Sequence, residues 1–122
     1  MPVPIESRWD DDERTWVLTP GETFELAEAI DLLRDTDWLG ARRFLWDLRA
    51  LVEGPGTTGD LRRMLEESER LSAQWEGGRV AIVATSDLHY GIARMFTAFA
   101  SDLDIEYRVF REEHEARAWL SS

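Results

Sequence analysis

Two patterns of apolar side chains take turns along the chain. Short apolar runs predict strands, and apolar residues spaced three or four apart predict helices. Residues 5–10 and 15–19 have the short apolar pattern of strands, and the polar segment 10–13 between them predicts a hairpin turn. A helix is predicted over residues 22–35, where apolar positions recur at three- and four-residue spacing. The nearly continuous apolar run at 43–48 then predicts a strand that is covered on both faces.

The next two elements have the clearest patterns in the chain. Apolar residues recur with a helical period over residues 61–75, and Thr58 or Asp60 is the predicted cap of this helix. The run at 80–85 is apolar and rich in β-branched residues. It is therefore the most strongly predicted strand, and it is typical of an inner strand of a parallel sheet.

The remaining elements complete a regular order. Ser86 or Asp87 is predicted to cap a helix that runs to residue 100, and a strand at 105–110 and a helix at 112–120 follow. The order is ββαβαβαβα, which predicts an α/β fold with right-handed crossovers. We expect a single domain over residues 1–122, with a five-stranded, mostly parallel sheet, an antiparallel edge strand and four helices.

Composition excludes several classes of function. The chain has no cysteine and no lysine, since all 14 basic residues are arginine. Disulfides, thiolate metal sites, lysine-dependent phosphate loops and Schiff-base chemistry are therefore excluded. The two histidines lack the spacing of a metal site, so we predict no metal and no other cofactor. A net charge of −11 disfavours binding to nucleic acid and to anionic membranes.

The sequence also predicts where in the cell the protein is found. Its N-terminus lacks the basic and apolar regions of a signal peptide. Its longest apolar stretch is five residues, at 80–84, far below the ~20 that span a bilayer. We therefore expect a cytoplasmic protein without stable membrane insertion.

Several segments, taken in order along the chain, resemble the STAS-like (SpoIIAA-like) family. More specifically, they resemble a short bacterial branch that is grouped with CRAL-TRIO-type lipid-binding domains. The segments that carry this resemblance are FLWDLR (44–49), VAIVA (80–84), YGIARMF (90–96), VFREE (109–113) and EARAWL (115–120). The resemblance implies a five-stranded sheet with helices wound onto it, and a regulatory or ligand-binding role instead of catalysis.

The resemblance also implies a candidate phosphorylation site. In anti-sigma-factor antagonists, the loop after the third strand carries Asp-Ser-Ser-Gly, whose serine is phosphorylated. The matching stretch here is Gly-Thr-Thr-Gly at 56–59, so Thr57 and Thr58 are the candidate residues. Glycine replaces the aspartate and Pro55 precedes the stretch, so we favour the interpretation that both threonines are loop and cap residues.

A candidate ligand site follows the fourth strand, because open α/β sheets bind ligands beyond the carboxyl ends of their strands. Together with the acid that ends the third strand, the candidate ligand-binding residues are Ser86, Asp87, His89, Tyr90, Arg94 and Asp47. In this hypothesis an anionic ligand lies at the helix N-terminus and is held by Arg94. The alternative, which we favour, is a capped helix with a solvated His89 and surface ion pairs.

The leading functional hypothesis is a non-enzymatic regulatory or ligand-binding domain of STAS type. It would bind a protein partner, or a small apolar or anionic ligand, near the carboxyl ends of the central strands. An apolar ligand needs a cavity between the sheet and the helices, and the residues expected to bound it are Ile92, Phe96 and Phe99.

Two other functions stay open. One is a homodimeric protein-interaction module, because tryptophans near edges often mark interfaces. The tryptophans in question are Trp9, Trp16 and Trp38. The other is a small enzyme, for which the candidate residues are Asp47, Asp87 and His89. Acid–base work by these three requires that their side chains lie within hydrogen-bonding reach.

Overall fold

A computed structural model describes residues 5–35, 41–72 and 77–122. At its centre is a five-stranded sheet whose strands lie side by side in chain order. The strands are β1 (Glu6–Asp10), β2 (Thr15–Thr19), β3 (Arg43–Asp47), β4 (Arg79–Val83) and β5 (Glu106–Phe110). β1 and β2 are antiparallel and the later pairs are parallel. The predicted α/β architecture with one antiparallel edge strand is therefore confirmed.

Helices cover both faces of this sheet. Helices α1 (Leu26–Asp35), α2 (Thr58–Ser72) and α3 (Asp87–Phe99) pack on one face, and α4 (Glu113–Ser121) packs on the other. Parallel crossover connections are almost always right-handed, and these three all advance in the same direction across the sheet, so the three connecting helices are expected on the same face, as observed. None of the helices in the described ranges has the length and apolar composition needed to cross a membrane.

Successive residues of β4 point into two different core layers, which explains the uninterrupted apolar run of this strand. Val80 and Ile82 pack beneath helices α1 to α3. Ala81 and Val83 pack beneath α4, against Leu120 and its neighbours. All of these side chains are buried, as the sequence pattern predicts for an inner strand.

The first helix begins later than the sequence predicts, at Leu26 instead of residue 22. The carbonyl oxygen of Glu22 accepts hydrogen bonds from the backbone N–H groups of Val52 and Glu53, at 2.6 and 3.0 Å. Thr23 also forms an isolated parallel bridge with Glu53. These long-range bonds hold the β2–α1 loop against the β3–α2 loop, so residues 22–25 are not helical.

The edge tryptophans of the hairpin contact each other instead of standing free. Trp9 and Trp16 face each other across the β1–β2 pair, with ring centroids 5.4 Å apart. On the opposite face of the sheet, Trp119 of α4 packs against Phe110 of β5. Trp38 and the end of the helix predicted to reach residue 75 lie outside the described residues.

Candidate functional site

Ser86 caps the N-terminus of α3, at the carboxyl end of β4. Ser86 Oγ accepts a hydrogen bond from the backbone N–H of His89 at 3.1 Å, and it lies 2.9 Å from His89 Nδ1. This contact turns the imidazole inward, so His89 is only 8% exposed. Within the described residues, His89 Nε2 has no hydrogen-bond partner. The predicted cap is therefore present, but the expectation of a solvated His89 is wrong.

The cation beside this helix start is Arg111, which the sequence analysis did not single out. Its guanidinium lies 2.8 Å from Asp87 Oδ1 and donates a hydrogen bond to the carbonyl oxygen of Thr85 at 3.0 Å. It also lies 4.1 Å from the ring centroid of Tyr90, which is a cation–π contact. Asp87 and Tyr90 are thus brought together, with Arg111 as their common partner.

Arg94 lies apart from this cluster. It is seven residues along α3 from Asp87, which is about 10 Å at 1.5 Å per residue. Its side chain is exposed and has no hydrogen bond or ion pair within the described structure. Anion binding by Arg94 at the helix N-terminus stays a prediction, and this separation argues against it.

Asp47, at the end of β3, is part of an ion-pair network instead of a pocket. It accepts hydrogen bonds from the side chain and the backbone N–H of Arg49, which also pairs with Glu113 at 2.6 Å. The hydrogen bonds from Arg49 hold the pKa of Asp47 below its usual value, against the opposing effect of burial. Glu113 continues the network to Arg117, which reaches Asp10 on the hairpin.

The three residues of the enzyme hypothesis therefore have separate partners. Asp47 pairs with Arg49, Asp87 pairs with Arg111, and His89 contacts Ser86. No hydrogen bond joins any two of Asp47, Asp87 and His89 in the part of the chain that the structure describes. Cooperative acid–base chemistry needs such contact, so the geometry gives the enzyme hypothesis no support.

Thr57 caps α2 together with Asp60, so the prediction that Thr58 is the cap is wrong. Thr57 Oγ1 accepts the backbone N–H of Asp60 at 3.0 Å, and Asp60 Oδ2 accepts the N–H groups of Thr57 and Gly56 at 3.1 Å. This reciprocal arrangement is a capping box. The backbone hydrogen bonds hold the pKa of the Asp60 carboxyl below its usual value. Thr58 is exposed at the first turn. Phosphorylation of either threonine stays a prediction.

The described residues include one cluster with the side-chain types of a metal site. Glu112, His114 and Glu115 hold their potential ligand atoms within 4.8 Å of one another at the start of α4. All three are exposed, and His114 Nδ1 lies 3.2 Å from Glu112 Oε2. Exposed side chains of this kind commonly pair with one another at helix starts, so we assign no metal here.

A cavity of about 100 Å³, partly open to solvent, lies between the sheet and helices α1 to α3. Its wall is mostly apolar and includes Phe24, Trp46, Ile82, Ile92, Ala93 and Phe96. Its polar groups are Ser68, His89 and Tyr107; burial raises the pKa of Tyr107, and the side chain of Ser68 opposes this shift.

Two of the three residues that the sequence predicts to bound the cavity do line it. Ile92 and Phe96 line it, but Phe99 is 42% exposed and does not. At this end of α3 the inward-facing position is occupied by Ala100, so Phe99 points towards solvent. The prediction for Phe99 is therefore wrong.

The loop after β3 closes over this cavity because two of its residues lack side chains. A Cβ atom on Gly54 would lie 3.1 Å from the ring of Phe24 and from Leu51. A Cβ atom on Gly56 would lie only 2.9 Å from Ile92 Cδ1. The Gly-Pro-Gly segment thus rests directly on the side chains that line the cavity.

An acidic cleft adjoins the cavity at this loop. It is open, has a volume of about 500 Å³, and shares Phe24 and Pro55 with the cavity. None of the residues that line it is basic, and its carboxylates are Glu25, Glu28, Glu53 and Asp60. We call this surface the acidic cleft. It lies between the β2–α1 and β3–α2 loops, which the hydrogen bonds to Glu22 hold together.

Comparison with known proteins identifies the fold. No family model matches the chain, and no curated protein matches it. The chain is similar in structure to an uncharacterized protein of the DUF3478 family from Shewanella loihica, which has a SpoIIAA-like fold. The TM-score is 0.61 at 18% sequence identity, over 95% of this chain and 91% of that one. The SpoIIAA-like fold implied by the resemblance is therefore confirmed, whereas the grouping with CRAL-TRIO-type domains stays a prediction.

Proposed function

We propose that this SpoIIAA-like fold is a non-enzymatic ligand-binding domain that takes the apolar part of a small molecule into the cavity beneath α3. The observation that carries the proposal is the cavity itself. Protein interiors are close-packed, yet a space of about 100 Å³, partly open to solvent, is left between the sheet and the helices here. The cavity reaches the carboxyl edge of the sheet through Trp46, Leu48 and His89, and this edge is where this class of fold commonly binds ligands.

The composition of the cavity wall also supports ligand binding. Ligand pockets combine an apolar lining with a few polar groups that fix orientation. Here the wall is apolar apart from the Ser68–Tyr107 pair and His89, whose Nε2 is unpartnered in the described structure. His89 is therefore the group available to hydrogen-bond a ligand.

The size of the cavity limits what enters it. Typical drug-sized ligands occupy pockets of roughly 300–1,000 Å³, and a ~150 Å³ apolar cavity in another protein binds benzene or xenon. At about 100 Å³, this cavity suits one ring or a short alkyl group. A complete long-chain lipid would not fit inside it.

Isoleucine methyl NMR tests the proposal with benzene as the probe. Of the five isoleucines, only Ile82 and Ile92 line the cavity. We expect benzene to shift the δ1-methyl signals of these two, while the signals of Ile5, Ile30 and Ile105 change little. Equal small shifts at all five, or none at any, would contradict the proposal.

A matched pair of variants shows whether those shifts come from the cavity. Ala93→Leu adds a side chain at a buried position in the cavity wall, and Ala98→Leu adds the same atoms at an exposed position on the same helix. The shifts should disappear in folded Ala93→Leu and persist in Ala98→Leu. Persistence in both variants would place the binding elsewhere.

A second candidate function is self-association through the outer face of α3. Leu88, Met95 and Phe99 are 65%, 48% and 42% exposed and lie on one face of the helix. Exposed apolar side chains arranged in this way are typical of an interface. A second copy of the chain is the occupant we would test, and the same face would serve another protein.

Sedimentation velocity over a wide concentration range tests this second candidate. A homodimer should form and should be weakened by Met95→Glu but not by Ala98→Glu, which adds the same charge away from the Leu88–Phe99 face. A monomer at every concentration would rule out self-association through α3.

A further inference from the structure

We infer that the ligand of this domain is an organic cation, an amine bearing an aromatic ring or a short alkyl group. The apolar group would lie in the cavity and the ammonium group in the acidic cleft. The inference rests on the proposed function, because it requires that the cavity be occupied. Its basis is the juxtaposition of an apolar cavity and an anionic cleft that share Phe24 and Pro55 as walls.

The carboxylates of the acidic cleft are poorly neutralised compared with others in the molecule. Glu67 pairs with arginines of α1 and α2, and Asp47 pairs with Arg49. By contrast, Glu25, Glu28 and Glu53 have no ion pair to any residue that the structure describes. Carboxylates that line one cleft repel one another, so a cation in the cleft relieves an unfavourable interaction. The net charge of −11 also raises the local concentration of cations.

The shared wall between cavity and cleft is itself suited to an ammonium group. Phe24 lines both spaces, and its ring stacks on Trp46 with centroids 6.3 Å apart. The face of an aromatic ring attracts a cation within about 6 Å of its centroid. A ligand that passes Phe24 would therefore meet an apolar wall on the inner side and a cation-binding surface on the outer side.

A buried polar group in the cavity is an independent sign of a ligand. His89 is more than nine-tenths buried, and only its Nδ1 is bonded, to Ser86. Its Nε2 adds a hydrogen-bonding atom to a wall that is otherwise nearly apolar. Among the described residues, every fully enclosed side-chain nitrogen or oxygen has a hydrogen-bond partner, so the unpartnered Nε2 is an accessible atom that a polar group of a ligand can reach.

The spacing of the carboxylates favours an organic cation over a metal ion. Among the described residues, the group that brings three potential ligand atoms within 4.8 Å is Glu112, His114 and Glu115, which does not line the cleft. No three of the cleft carboxylates converge in this way, so the cleft lacks the cluster of oxygen ligands that holds a small ion. An open space of about 500 Å³ accommodates a bulkier cation. An anionic head group would be repelled at the same place.

Three phenyl compounds that differ in charge test the inference: 2-phenylethylamine, 2-phenylethanol and 3-phenylpropionate. Each is titrated into the full chain at neutral pH, and its affinity is read from the δ1-methyl signals of Ile82 and Ile92. We expect the amine to bind about 5- to 10-fold more tightly than the alcohol, and the carboxylate to bind most weakly. The preference for the amine should shrink at high salt.

Charge-matched variants locate the head group. Glu25→Gln with Glu53→Gln removes two charges from the cleft and should bring the amine and the alcohol within about twofold of each other. Glu66→Gln with Glu69→Gln removes two exposed charges from α2 outside the cleft and should preserve the preference. Unfolding curves of both double variants confirm that each is folded.

The outcomes separate this inference from the proposed function. If all three compounds bind equally, or the carboxylate binds most tightly, the cation inference is overturned and the cavity function stands. If the preference for the amine is the same in both double variants, the acidic cleft is not its origin and the inference fails. If none of the compounds shifts Ile82 or Ile92, the proposed function and the inference both fail.

Discussion

Ser86 Oγ lies 2.9 Å from Nδ1 of His89, so a single side chain both caps α3 and holds an imidazole in the wall of the cavity. The same oxygen accepts the backbone N–H of His89 at 3.1 Å. The helix start and the cavity wall are thus coupled, and a change at exposed Ser86 should reach the buried space beneath it.

Ser86→Ala should lower the free energy of unfolding by about 1 kcal/mol, because α3 loses its N-cap. It should also weaken binding of the phenyl probes, since His89 loses the contact that orients it. Ser86→Asp, which supplies another good cap, should recover most of the stability. Urea unfolding measures the first effect and methyl NMR the second. Unchanged stability in Ser86→Ala would show that the cap contributes nothing.

Thr57 and Thr58 should respond differently to the same substitution. Thr57→Ala removes half of the capping box with Asp60 and should cost about 1 kcal/mol of unfolding free energy. Thr58→Ala changes an exposed first-turn residue and should stay within about 0.5 kcal/mol of the unmodified protein. Urea unfolding of the two variants provides the comparison. Equal losses would contradict the assignment of Thr57 as the cap.

Acid should weaken the fold partly through Asp47. Its pKa is lowered in the folded protein by hydrogen bonds from Arg49, so the carboxylate stabilises the fold above its unfolded pKa of about 4. That stabilisation is lost as the pH falls through the folded pKa. Asp47→Asn should therefore show a smaller loss of unfolding free energy between pH 5 and pH 2, measured by urea unfolding.

The charge-matched control for this prediction is Asp104→Asn. Asp104 is exposed, and the structure gives its side chain no partner among the described residues. This variant should keep the acid sensitivity of the unmodified protein. An Asp47→Asn variant with the same acid sensitivity would mean that the Asp47–Arg49 contact has no net stabilising effect.

Two glycine-to-alanine substitutions should have opposite effects. At Gly56 the new Cβ would lie 2.9 Å from Ile92 Cδ1, so Ile92 must move; because this methyl group is the flexible end of a side chain beside the cavity, the cost should be at most about 1 kcal/mol. At Gly91, in the middle of α3, the new Cβ meets nothing within 4 Å. Gly91→Ala should therefore stabilise the protein by about 1 kcal/mol, because alanine favours the helix. Thermal unfolding distinguishes them, and a stabilised Gly56→Ala would contradict the close contact with Ile92.

The architecture was predictable because its signals are local. The apolar run of β4 and the period of α2 each depend on neighbouring residues, and a parallel sheet follows from their alternation. The start of α1 was not predictable in this way. It depends on hydrogen bonds between Glu22 and the distant Val52 and Glu53, which no pattern within residues 22–35 encodes.

The candidate site likewise has some features with a local sequence signal and others that depend on residues distant in the chain. The cap at Ser86 has a local signal and was predicted, whereas its cation, Arg111, comes from the end of the neighbouring strand. The register that places Val83 opposite Phe110 brings Ser86 and Arg111 to the same edge of the sheet. The acidic cleft has no comparable signal, because its carboxylates come from two loops and two helix starts that only the fold assembles.

The most direct test of the central claim is a crystal of the protein held under xenon pressure. Xenon enters apolar cavities that exclude water, and its scattering locates it without reference to any ligand. The account predicts a xenon atom between the sheet and α3, in contact with Ile82, Ile92 and Phe96. A fully packed interior with no xenon at that position would contradict it.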